Sequence, residues 1–116
     1  MSDSYHFLFE FCILGWLPPT VESGKGVRGI FPDSRYTYRI DTNKVAPDEG
    51  GFHIHIFLAL SLSKGNEAEI AKLNGRGGFV KAHKGKTLQK PSQMPRPVLR
   101  NINKLLRHVQ KNIKRR

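Results

Sequence analysis

The sequence predicts an α+β fold: a mostly antiparallel β-sheet, a meander, covered by a C-terminal amphipathic α-helix, all in a single domain over residues 1-116. Three observations carry this expectation. Apolar residues alternate at a period of two in "RYTYRI" and in "GGFHIHIFLAL", the spacing of strands with one buried face. Clusters of Gly, Pro, Asn and Asp separate these runs, as turns between strands require. Beyond Pro97, apolar residues recur three and four apart, which is helical periodicity.

Taken in order, "YHFLFEFCILGW" (5–16) alternates aromatic and aliphatic residues and reads as a strand ended by Pro18 and Pro19. "TVESGKGVRGIFPDS" (20–34), rich in Gly and charge, reads as a long surface loop or flap. "RYTYRI" (35–40) sets Tyr36, Tyr38 and Ile40 against Arg35, Thr37 and Arg39 as a second strand, and "DTNKVAPDEGG" (41–51) is a turn-rich connection. In the histidine strand, Phe52, Ile54, Ile56, Leu58 and Leu60 share one face, and His53, His55, Phe57 and Ala59 the other. "SKGN" turns the chain into "EAEIAKL", a hairpin partner for that strand. "NGRGG" is another turn, with Asn74-Gly75 suited to positive φ, "FVKAH" a short strand, and "KGKTLQKPSQMP" a basic loop. The final helix starts at Pro97, a residue suited to a first turn, and buries Val98, Leu99, Ile102, Leu105, Leu106, Val109 and Ile113.

Charge is segregated along the chain. Residues 1 to 69 hold six Lys/Arg and all nine Asp/Glu, net −3, whereas residues 70 to 116 hold fourteen Lys/Arg and no acid, net +14. Such asymmetry points to a polyanionic partner, with nucleic acid, RNA above all, ahead of an anionic membrane surface or an acidic protein such as an antitoxin or inhibitor. The residues expected to meet phosphates are Lys81, Lys84 and Lys86 in the basic loop and Arg96, Arg100, Lys104, Arg107 and Lys111 on the outward side of the helix. The longest apolar stretch, "FLFEFCILGWL", is 11 residues and contains Glu10, short of the roughly 20 that span a bilayer. "MSDSYH" lacks the basic start of a signal peptide. The single cysteine, Cys12, cannot form an internal disulfide, so a cytoplasmic setting is expected.

His53 and His55, two apart on a strand, place their imidazoles on one face about 6.5 to 7 Å apart along the backbone. A phosphodiester fits between two such rings. In RNA cleavage one imidazole can take the 2'-hydroxyl proton while the other, protonated, gives a proton to the leaving 5'-oxygen. Arg39, Lys64, Arg76, Lys81, His83 and Lys84 are candidates to stabilise phosphoryl charge beside that pair. Two further readings stand beside catalysis: histidines hydrogen-bonded on the exposed face of the sheet, or metal ligands joined by His83, Glu67 or Glu69. No metal and no cofactor is expected. "GKGVRG" (24–29) matches a Gly-x-Gly-x-x-Gly pattern, but no helix opens after it, so dinucleotide binding is not expected. Tyr36, Tyr38 and Phe57 are candidates to stack on unpaired bases, though Tyr36 and Tyr38 share the core face with Ile40.

From Arg35 to Val109 the order of residues resembles a family of small bacterial proteins of unknown function associated with toxin–antitoxin pairs, whose hallmark is a Pro-His-Phe/Val-His stretch. The resemblance rests on Asp41 and Pro47, "FHIHIF", "EAEI", a Gly turn and "PRPVLRNINKLL". Gly51-Phe52 stands where that family has prolines, and residues 1 to 30 have no counterpart. The resemblance implies a shared fold and marks His53 and His55 as the matching histidines. The functional expectation is an RNA-directed toxin, a metal-independent ribonuclease using His53 and His55. The alternative is a noncatalytic nucleic-acid-binding or regulatory module from a phage or mobile element.

Overall fold

The structure, a computed structural model, describes residues 14–17, 19–22, 26–32, 35–43, 45–59, 67–81 and 88–113. Five strands form one antiparallel sheet in chain order: β1 (Thr20–Glu22), β2 (Gly26–Ile30), β3 (Tyr36–Asp41), β4 (His53–Ala59) and β5 (Glu67–Asn74). Each strand pairs with its neighbour in sequence, so the sheet is a meander. A C-terminal helix, Arg96–Ile113, follows. The α+β class is therefore as expected. No helix among the described residues is long and apolar enough to cross a membrane.

Several local expectations change. The segment expected to be a long loop holds β1 and β2, with Val21 opposite Val27; β-branched residues outweigh the neighbouring glycines. Gly26 takes φ +94, and a Cβ there would run into the carbonyl of Ile40, so this glycine lets the start of β2 lie close against β3 rather than signalling a loose chain. Residues 5–13 of the first expected strand lie outside the described residues. Leu14 is helical and Gly15 has φ +75, so that strand does not extend to Trp16. In the turn after β5, positive φ falls on Gly77 (+91), while Asn74 accepts hydrogen bonds at its Oδ1 from the N–H groups of Arg76 and Gly78 (both 2.9 Å). Of the expected strand 79–83, residues 82 and 83 lie outside the described residues; the described part makes a bridge between Leu73 and Phe79 and a bond from Val80 N–H to the Lys72 carbonyl.

One face of the sheet is core. Tyr38 lies opposite Ile56, Ile40 opposite Ile54, and Ile54 and Ile56 opposite Leu73 and Ala71, all fully buried. Phe31 packs on Tyr38 at 5.1 Å between ring centroids, and Trp16 meets Phe31 edge-on at 5.8 Å. Val98, Ile102, Leu105 and Val109 of the helix belong to the same buried cluster. Gln110 donates from Nε2 to the Gly75 carbonyl (2.9 Å), tying the far half of the helix to the turn after β5.

Gly29 is the register partner of Tyr38, whose ring occupies the space a Cβ would take. Gly29→Ala is expected to lower unfolding free energy by about 1–3 kcal/mol, because an overpacked core must shift a buried aromatic. A melting temperature equal to wild type would show that the ring is not seated there.

Candidate functional site

The face of the sheet opposite the core gathers most of its ionic contacts. Strand alternation sends Ile54 and Ile56 inward, so His53, His55 and Phe57 point the other way. His55 sits between Arg39 on β3 and Lys72 on β5, and His53 between Asp41 and Asn74. Counting by twos from Lys72 would bring Ile70 and Ala68 to this face. A register shift between Ile56 and Phe57 intervenes, so that Phe57 faces Glu69 and Ala59 faces Glu67. This β-bulge reverses the parity of β5 and brings Glu69 and Glu67 to the histidine face, Glu69 against His55.

Both ring nitrogens of His55 meet carboxylates: Nδ1 pairs with Glu69, and Nε2 lies 3.0 Å from Asp41 Oδ2. Arg39 grips the same Asp41 with two bonds, from Nε and Nη2, each 2.9 Å, the planar fork geometry that suits a carboxylate. His53 Nε2 lies 3.1 Å from Glu49 Oε1. Glu49 ends a 3-10 turn, Pro47–Glu49, whose last carbonyl accepts from Gly75 N–H at 2.7 Å. Gly50 and Gly75 approach so closely that a Cβ on Gly50 would meet the Gly75 backbone at 2.7 Å. At the other end of the face, Arg28 and Thr37 donate to Glu67 at 3.1 Å each. The guanidinium groups of Arg28 and Arg39 lie 5.3 and 5.9 Å from the centre of the Phe57 ring, within cation–π range.

Against the expectation of a solvated face, His55 is buried, with 8% of its surface exposed. That burial pushes its pKa below the ordinary imidazole value; the hydrogen bond to Glu69 opposes the shift, the charge of Arg39 adds to it, and the charges of Glu69 and Asp41 oppose it. A neutral ring donates through one nitrogen and turns a lone pair towards the other carboxylate. With a folded-state pKa below the unfolded value of about 6.5, the unfolded chain binds the extra proton first. The His55 contribution to stability is then full above about pH 6.5 and is lost as pH falls through the lower, folded-state value. Thermal melts between pH 8 and pH 5 should show the melting temperature dropping on acidification, with a shallower drop in His55→Gln. Stability that rises on acidification would mean that the carboxylates hold an imidazolium instead.

Of the residues expected to act together, His53, His55 and Arg39 share this face. The two imidazole centroids are 6.4 Å apart. Arg76 is exposed in the turn after β5, and among the described residues no hydrogen bond or ion pair joins it to either imidazole. Lys64 and His83 lie outside the described residues, as do Lys84 and Lys86. The spacing of the histidines marks neither Asp41 nor Glu49 as their partner, and Glu69 stands out in the sequence only as a metal ligand. Asp41 carried a usable signal, since Arg39 and Asp41 are two apart on one strand and must share a face. Among the described residues no group of three or more His, Cys, Asp or Glu could hold a metal ion.

The second candidate surface is the outward side of the helix. Arg96, Arg100, Lys104, Arg107 and Lys111 are all exposed. At about 100° per residue they fall within an arc of roughly 80°, nearly opposite the buried Val98, Ile102, Leu105 and Val109. Among the described residues none of the five takes part in an ion pair. Lys81 is exposed as well. No protein-family model, no curated protein and no solved structure matches the chain.

Proposed function

We propose that the protein is a small nucleic-acid-binding module that holds RNA through the cationic stripe of its C-terminal helix. The observation that carries this reading is the stripe itself: five exposed cations in one narrow arc of the helix, with no carboxylate partner among the described residues. Phosphate contacts of this kind give affinity with little sequence information and a strong dependence on salt. The histidine face is suited to a different role. Asp41, Glu49, Glu67 and Glu69 stand among Arg28, Arg39 and Lys72 there, so a phosphodiester approaching the imidazoles meets carboxylates that already occupy their ring nitrogens. In this reading His55 acts as a polar clamp that ties β4 to Asp41 of β3 and Glu69 of β5, and His53 ties β4 to Glu49 of the 3-10 turn.

A second reading, a metal-independent ribonuclease toxin, is favoured by the 6.4 Å separation of the two rings. It requires Glu69 or Asp41 to release His55 when substrate arrives. In either case an acidic antitoxin or inhibitor would compete for the stripe, and the single Cys12 fits a reducing, cytoplasmic setting. One experiment tests both readings: purified protein with single-stranded RNAs of several sequences, in chelator, followed by electrophoresis and by affinity across a salt series. Binding of intact RNA with a steep salt slope supports the module. Cleavage in chelator supports the nuclease, and neither binding nor cleavage removes both.

A further inference from the structure

At the open end of the sheet, where β3 begins and the helix starts, lies a groove of about 750 Å³, a size that takes small-molecule ligands. Tyr36 and its register partner Leu58 form its floor, extending the apolar face beyond Tyr38 and Ile56. Pro32, Pro95 and Pro97 wall it, and Arg35, Arg100 and Lys104 also line it. Arg35 is braced by a bond from Nη2 to the Ala59 carbonyl (3.1 Å). Arg100 and Lys104 are one helical turn apart and exposed. No acidic residue lines the groove among the described residues.

We infer that this groove seats one unpaired base of a single-stranded nucleic acid, stacked on Tyr36, with the flanking phosphates on Arg100 and Lys104. The inference rests on the nucleic-acid reading and deepens it. Three features lead to this occupant. Tyr36 is partly buried, packed against the core cluster, so its ring is held in place before a ligand arrives and little is spent on ordering it. The cations at the rim belong to the helix stripe, so a strand following the stripe passes the mouth of the groove. The walls are prolines, which have no N–H to offer a base edge; Asn101 is the neutral amide among the lining residues. The groove therefore accepts any base with little preference, and rejects a duplex, whose bases are stacked and paired.

The test measures affinity of wild type, Tyr36→Leu and Tyr36→Trp for a single-stranded oligonucleotide, its duplex, inorganic polyphosphate and polyglutamate. Leucine preserves apolar packing but removes the stacking surface; tryptophan keeps it. The expected result is a loss of about 10-fold in single-strand affinity for Tyr36→Leu, near wild-type affinity for Tyr36→Trp, and unchanged polyphosphate binding for both. Equal single-strand affinity in wild type and Tyr36→Leu would overturn the groove while leaving the stripe reading intact. A parallel loss of polyphosphate binding would make Tyr36 structural and also overturn it, as would Tyr36-dependent binding of polyglutamate, which would assign the groove to an acidic protein. Wild type that binds neither oligonucleotide nor polyphosphate would remove the underlying nucleic-acid reading itself.

Discussion

Replacing Arg96, Arg107 and Lys111 together by glutamine is expected to weaken binding to single-stranded RNA by about 100-fold at 0.1 M salt. These are the stripe residues that do not line the groove, so the effect reports phosphate contacts without disturbing the site beside Tyr36. Each contact to a single strand contributes roughly 0.7 to the slope of log affinity against log salt, so three contribute about 2. Relative to 1 M salt, a tenfold dilution then corresponds to about two logarithmic units of affinity lost. The loss should be similar for different RNA sequences, because phosphates carry no base information. The helix should persist, since Val98, Ile102, Leu105 and Val109 are untouched and buried, and glutamine is a good helix former. A variant with unchanged affinity and slope, and an unchanged melt, would show that RNA does not lie on this face.

The stripe was legible in the sequence because it needs only helical periodicity: the cations repeat at intervals of three and four, out of phase with the aliphatic residues. β3, β4 and β5 were legible for the same local reason at a period of two. β1 and β2 were not. Their Gly-rich hairpin is stabilised by contacts distant in sequence, above all Tyr38 lying across Gly29, which turns a glycine that weakens strand propensity locally into the one residue that fits. The candidate site shows the same division. That His53 and His55 share a face follows from counting; that Glu69 joins them does not, because the bulge opposite Ile56 and Phe57 breaks the count. Glu49 reaches His53 only through the 3-10 turn and the close approach of Gly50 to Gly75. Burial of His55 likewise comes from its neighbours across three strands, whereas composition places histidine at a surface as readily as inside.

The two histidines, equivalent in the sequence, are expected to differ sharply in what they contribute to stability. His55→Leu should cost about 3 kcal/mol and lower the melting temperature by roughly 10–15 °C. The leucine fits the buried volume beside Phe57, but it leaves Glu69 and Asp41 without the ring that both now contact. Their side chains keep only 18% and 26% of their surface exposed, so water restores little of what the imidazole supplied, and two like charges face each other across an apolar group. His53→Ala should cost less than about 1 kcal/mol, because Glu49 is 42% exposed and water can replace the contact its carboxylate loses. Paired urea melts of the two variants, with circular dichroism to check the folded baseline, measure the contrast directly. The contrast also bears on function. If both variants leave stability near wild type while abolishing RNA cleavage in chelator, the histidines are an acid–base pair and the clamp is wrong. If His55→Leu is strongly destabilised, His53→Ala is not, and both still bind RNA while folded, the histidine face holds the sheet together and the helix carries the ligand.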